Sequence, residues 1–147
     1  MSSVIALAGL SNSGKSTSMK YLDPSETFIV SCTNKQLQIP GFRKKYPKFQ
    51  IEDKKPTGNW YISNSYENIG KILQIVSNHM SHIKTIVIDD ANYIMSNDSM
   101  QTAMTKGYDK FVIQAKNYYD LIQMSQNLRD DITVIFISHI VNNGTDI

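Results

Sequence analysis

The sequence predicts an α/β fold, a single domain over residues 1–147 with a parallel sheet flanked by helices. Three observations predict it. Short apolar, β-branched runs at Val4–Ala8, Thr27–Cys32, Lys84–Asp89 and Ile132–Ser138 have the length of buried parallel strands. Segments between the later runs carry apolar residues at helical spacing. The first run leads directly into "GLSNSGKST" (Gly9–Thr17), a glycine-bracketed loop of the kind that joins a strand to a helix around a phosphate.

The elements follow in order. After the loop, "KSTSMKYL" reads as a helix that stops at Asp23-Pro24. Residues 33–58 are polar and broken by Pro40, Pro47 and Pro56, and read mostly as loop. "NWYIS" (Asn59–Ser63) is a short strand. "NSYE" (Asn64–Glu67) has the spacing of a helix-capping box, followed by Ile69, Ile72, Leu73, Val76 and Met80 on one helical face. A long helix is predicted from Tyr108 to Arg129, with Phe111, Ala115, Tyr118 and Ile122 on one face. No internal repeat or low-complexity segment interrupts the pattern.

The loop carries the chemistry. Its glycines admit backbone angles that a Cβ forbids, so that N–H groups approach an anion closely. The phosphate-binding set is Gly9, Leu10, Ser11, Asn12, Ser13, Gly14, Lys15, Ser16 and Thr17. Lys15 places a charge on the β- and γ-phosphates, the Ser16 hydroxyl is a ligand for Mg²⁺, and Thr17 lies near the α-phosphate. From average residue usage, a chance match occurs in roughly one in two hundred chains of this length.

"TIVIDD" (Thr85–Asp90) ends a hydrophobic strand in two carboxylates, at the sheet edge where α/β proteins bind ligands. Asp89 is the candidate Mg²⁺ residue and Asp90 the candidate group that orients the attacking water. Two solvated acids at a strand end are the plainer alternative. "VIFISH" ends in Ser138 and His139; His139 is either a sensor of the γ-phosphate or a surface residue capping a strand. His79 and His82 lie beside a helix end and receive no role.

Composition excludes several classes. A net charge of +2 rules out a chain that is basic as a whole, so any polyanion site is a local patch. The candidate patch is "GFRKKYPKF" (Gly41–Phe49), extended by Lys54 and Lys55. Interleaved cations and aromatics suit single-stranded nucleic acid, whereas a solvated loop with its aromatics packed on the sheet is the preferred reading. The single cysteine, Cys32, allows no intrachain disulfide and no cysteine metal cluster, which fits a reducing cytosol. The N-terminus reads as a first strand rather than a signal peptide, and no run reaches membrane-spanning length.

The segments "GLSNSGKST", "TIVIDDANYIM", "KGYDKF" and "NLRDDITVIFISH", in this order, resemble a family of phage-borne RecA-like P-loop ATPases, the phage nucleotide-binding or AAA-type proteins, some of which are single-strand annealing recombinases. The resemblance spans nearly the whole chain. It implies a RecA-like core, ATP and Mg²⁺ as ligands, often single-stranded DNA, homo-oligomers in the complete protein, and the cytoplasm of a bacterial host. It also implies that the strand at Ile132–Ser138 lies between the P-loop strand and the strand ending at Asp89. Asp90 agrees with family members that carry Asp there. The RecA-type sheet normally continues beyond the strands seen here, so the chain is expected to be truncated at its C-terminus or a reduced member. Two other readings stand beside ATP hydrolysis in DNA recombination: a small-molecule kinase for nucleosides or nucleotides, and a nucleotide-binding switch with little turnover. Direct pairing of the P-loop strand with the Asp89 strand favours the kinase.

Overall fold

The computed structural model describes residues 1–9, 17–34, 39–94 and 107–139. In chain order the strands are β1 (Ser3–Gly9), β2 (Thr27–Ser31), β3 (Gln50–Glu52), β4 (Lys55–Thr57), β5 (Trp60–Ile62), β6 (Thr85–Asp89) and β7 (Thr133–His139). The helices are α1 (Phe42–Lys45), α2 (Tyr66–His79) and α3 (Gly107–Gln126), with a 3₁₀ turn at Thr17–Tyr21. Five strands form one parallel sheet in the order β1-β7-β6-β2-β5. The predicted α/β class and parallel sheet are therefore present. β7 sits between β1 and β6, where the sequence expectation placed it: Thr133 pairs with Ser3 on one side and Thr85 on the other.

Alternation along the strands builds two cores. On one face Phe28, Val30, Ile86, Ile88, Val134 and Phe136 pack under α2 and α3. On the other, Ile29, Val87 and Ile137 are covered by Met19, Ile39, Phe42, Tyr46 and Trp60. At the β1 edge of that second face Ile5 and Leu7 stay exposed.

Four local expectations change. The segment after the phosphate loop is described as a 3₁₀ turn, closed by Leu22 N–H to the Met19 carbonyl at 3.1 Å, rather than an α-helix. The hydroxyl-rich "STS" has low helix propensity, and Asp23-Pro24 leaves no length for further turns. Residues 33–58 contain α1 and the antiparallel β3–β4 hairpin. Its turn residues Asp53 and Lys54 both have positive φ, a conformation usually announced by Asn-Gly, so no hairpin signal is legible there. α2 is capped by Ser65, which accepts from Asn68 N–H at 3.4 Å, one residue later than the predicted box.

The fourth concerns α3, which buries Leu121 and Ser125 and half-buries Tyr118 and Ile122, while Ala115 is exposed and the Phe111 side chain lies outside the described residues. Geometry explains the shift. The 20-residue helix is about 30 Å long, whereas seven-residue β7 spans about 23 Å. The N-terminal part of α3 therefore overhangs the carboxyl edge of the sheet, exposing Val112 and Ile113.

The "LRDD" segment is structural and lies at the opposite, amino edge. Leu128 is buried, and Arg129 donates through Nη1 to the carbonyls of Ser77 (3.1 Å) and Met80 (3.4 Å) at the end of α2, and through Nη2 to those of Ser81 and Ile83. These are the orphan carbonyls of a helix terminus and the turn after it. Asp131 pairs with both Lys84 and Arg129. We predict that Arg129→Ala lowers unfolding free energy by about 2–4 kcal/mol, read from urea denaturation, because several carbonyls lose a charged donor together. The hydrogen bonds from Lys84 and Arg129 hold the Asp131 carboxyl at about 2, below its ordinary 3.8. A lowered folded-state value gives stability that is complete above the unfolded value and lost as pH falls toward 2. Asp131→Asn is therefore expected to flatten the stability curve between about pH 4 and 2, and acid titration of the melting temperature checks this.

Candidate functional site

In a parallel sheet all carboxyl ends lie along one edge, and here that edge gathers the polar residues. β1 ends at Gly9 in register with His139, the last residue of β7. β6 ends at Asp89 in register with Ser31, the last residue of β2. The structure thus brings Gly9, His139, Asp89 and Asp90 to a common edge. Leu10, Ser11, Asn12, Ser13, Gly14, Lys15 and Ser16 lie outside the described residues, as do the side chains of Thr17 and His139. Thr17 opens the 3₁₀ turn.

Asp89 and Asp90 are both buried, each 5% exposed. They are not the solvated strand end of the plainer alternative. Asp90 has φ 56, in the left-handed region. Asp and Asn tolerate this region better than other side chains with a Cβ, which gives a physical reason for Asp rather than the longer Glu. The turn is locked by backbone bonds: Ala91 N–H donates to the Ile137 carbonyl on β7 at 2.8 Å, and Tyr93 N–H to the Asp90 carbonyl at 3.0 Å. On the other side, Cys32 N–H donates to the Asp89 carbonyl at 3.1 Å, and the Thr33 hydroxyl to Asp90 Oδ2 at 3.1 Å.

Two more groups complete the surroundings. The Cys32 thiol is pushed well above its usual value by burial and by the nearby carboxylates of Asp89 and Asp90, which makes it inert as a nucleophile. Tyr118, on α3, hydrogen-bonds the Ser138 side chain near the tip of β7, and burial raises its hydroxyl above the ordinary value. Thr33 and Tyr118 were not singled out from the sequence. Thr33 follows a parallel strand's carboxyl end, a position that could have drawn attention to it. Tyr118 reads in sequence only as one apolar position of a helix.

The arrangement supplies hard oxygen donors at one strand tip, which suits a small divalent cation that keeps most of its waters. Among the described residues, no group of three or more His, Cys, Asp or Glu gathers as a metal site. Asp89 and Asp90 are the carboxylates that the described residues place at that tip, and a Mg²⁺ ion that keeps several waters needs few protein ligands.

The basic stretch divides by side-chain type. Phe42 and Tyr46 are buried and stack at 5.3 Å between ring centroids, and Phe42 meets Trp60 edge-on at 5.0 Å. Arg43, Lys44, Lys45, Lys48, Lys54 and Lys55 are exposed. Phe42 and Tyr46 are core, and Phe49 is half-buried against Phe28 and Tyr61, so the aromatics pack on the sheet as the preferred reading had it. Gly58, with φ 80, fixes the chain just before β5, where a Cβ would come within 2.2 Å of the Lys48 carbonyl oxygen.

No family model matches the chain, and no curated protein matches it in sequence. No helix among the described residues is long and apolar enough to cross a membrane.

Proposed function

We propose that the chain is a RecA-like P-loop ATPase that binds ATP and Mg²⁺ at the carboxyl edge of the sheet and hydrolyses ATP during work on DNA, as in phage recombination or single-strand annealing. One observation carries the reading: β7 separates β1 from β6, so the phosphate-loop strand does not pair with the Asp89 strand. Direct pairing of those two strands is the arrangement that favours the kinase reading. In support, the loop sequence from Gly9 to Thr17 leaves the tip of β1, and two buried carboxylates stand one strand away, across β7.

The roles follow from the sequence motif, supported by the strand order. Lys15 neutralises phosphate charge, and the backbone of Gly9–Ser16 cradles it. Ser16 and Asp89 hold Mg²⁺, which supplies charge neutralisation on the phosphates when bound. Asp90 orients and polarises the attacking water. His139, at the tip of the strand between the two halves of the site, senses the γ-phosphate. Arg129 takes no part, since it is committed to the amino edge. Single-stranded DNA and self-association belong to the same proposal. With the aromatics buried, the exposed lysines and Arg43 would meet DNA through its phosphates, and binding there would fall steeply with salt.

Phosphate release from ATP, measured with and without single-stranded DNA beside a panel of nucleosides as acceptors, tests the reading. DNA-stimulated release supports it, nucleoside phosphorylation replaces it with the kinase, and binding without release replaces it with the switch.

A further inference from the structure

We propose that the flank formed by α1 and the β3–β4 hairpin binds duplex DNA through its phosphate backbone, in preference to single strands. The inference rests on the DNA part of the reading above and names the form of DNA that this flank takes. The ATP site plays no part in it.

Charge concentrates in one short segment. Between Arg43 and Lys55 the chain carries six cations against two acids, Glu52 and Asp53, whereas the whole chain has a net charge of +2. The remaining residues are therefore net acidic. Lys44, Lys45, Lys48, Lys54 and Lys55 are all exposed, and among the described residues they form no ion pair. A local excess of one sign draws in a polyanion even where the molecule as a whole is nearly neutral.

The fold holds these cations in a fixed array. Phe42 and Tyr46, four residues apart, are the buried side of α1, and Arg43, Lys44 and Lys45 between them face outward. Lys48 follows at the edge of β5, where it bridges Trp60 and its Nζ lies 5.7 Å from the centroid of that ring. The base of the hairpin is closed by Asn59 N–H to the Pro47 carbonyl at 3.0 Å and by Phe49 N–H to the Trp60 carbonyl at 2.7 Å. Asn59 also donates through Nδ2 to the Lys45 carbonyl at 3.2 Å. α1, Lys48 and the hairpin that carries Lys54 and Lys55 are thus tied at a common base.

The rings of this flank decide the form of DNA. Single strands are held by cations together with aromatic platforms on which bases stack. Here Phe42, Tyr46 and Trp60 are buried, and Phe49 packs on Phe28 and Tyr61, so these rings are turned to the sheet and not to a base. The exposed Tyr21 lies on the 3₁₀ turn, outside α1 and the hairpin, with Lys20 over its ring at 5.1 Å. Duplex DNA needs no platform, because its bases already stack on one another. It presents one phosphate charge per about 1.7 Å of axis, twice the density of a single strand in that helix. An array of lysines without platforms gains most from the denser charge.

The test uses the full, nucleotide-free chain with a labelled short duplex of mixed sequence, its two separate strands, and vesicles of anionic phospholipid. Anisotropy reads the DNA and co-sedimentation the vesicles. Duplex affinity is expected to exceed that of either strand at least about tenfold, and to fall about 500-fold between 50 and 200 mM salt, as about five phosphate contacts require. Lys44→Gln/Lys45→Gln/Lys48→Gln should flatten the slope of log affinity against log salt by about 3 and Lys54→Gln/Lys55→Gln by about 2. Lys116→Gln, exposed on α3, should leave the slope unchanged. Equal or tighter binding of a single strand overturns the inference, as does single-strand binding that Tyr21→Ala abolishes while duplex binding is absent. Tighter binding of the vesicles than of the duplex at equal salt, or a slope untouched by the lysine substitutions in folded variants, also overturns it. Phosphate release from ATP, assayed on the same preparations, keeps the two readings apart. Turnover without duplex binding sinks this inference alone, and duplex binding without turnover supports it and sinks the hydrolytic reading alone.

Discussion

Asp90→Asn is expected to slow ATP turnover by ~10²–10⁴-fold, the usual contribution of a positioned acid–base group, and to leave ATP affinity within a few-fold of the parent. The substitution isolates chemistry from structure for reasons visible at this position. Asn is as tolerant of the left-handed region as Asp, so φ 56 carries no new strain. Its amide oxygen can still accept from Thr33 Oγ1, so the part-buried bond between the two segments survives. What is lost is the charge that, in the proposed role, polarises a water and takes its proton. Asp89→Asn should give the opposite split, with weaker Mg²⁺-dependent ATP binding as the primary defect. Steady-state phosphate release, paired with nucleotide titration and a melting curve for each variant, separates the two. A parental rate in a folded Asp90→Asn protein places the base elsewhere.

Lys15→Ala is expected to abolish tight ATP binding, and with it turnover, without unfolding the protein. The sequence places Lys15 in a polar loop between β1 and the 3₁₀ turn, whose buried Met19 belongs to the core beyond the loop. In the proposed site the lysine would contribute a point charge to the triphosphate. Linkage offers a clean measurement. At 100 times its Kd, ATP stabilises a folded binder by about 2.7 kcal/mol, and that increment should be present in the parent and absent in Lys15→Ala. An unchanged affinity in the folded variant would remove the phosphate-loop assignment.

The inner strands were legible in sequence because a parallel strand buried on both faces demands a continuous apolar run, and β2, β6 and β7 each appear as one; β1 reads the same way, although as an edge strand it is mostly exposed rather than buried. The position of β7 beside β1 is a different matter, since no local pattern specifies which strands pair; it was expected only through the resemblance. Asp89 and Asp90 were found because a strand's carboxyl end is a known site for ligands. Thr33 was passed over because its bond to Asp90 arises only once β2 lies beside β6. The β3–β4 hairpin was hidden by its Asp-Lys turn, which relies on residues that bear positive φ at a cost. Asn59, read as the first residue of a short strand, instead sends its amide to the carbonyls of Pro24, Thr27 and Lys45 at 2.9, 3.2 and 3.2 Å, contacts between segments that no periodicity encodes.

The placement of β7 also governs how the chain reaches its folded state. Translation delivers β1 first and β7 more than a hundred residues later, yet among the described strands β7 is the sole partner of β1. While the ribosome is still extending the chain, β6, β2 and β5 can assemble with α2, but β1 waits and β6 presents an unpaired edge across a gap one strand wide. Contacts as distant as Ser3 with Thr133 carry a large loop-closure entropy and form slowly. The two edges bordering that gap are the surfaces from which misassembly would start in a nascent chain. Insertion of β7 closes both at once and joins the two future halves of the site in the same step, so a partly made chain has no assembled site.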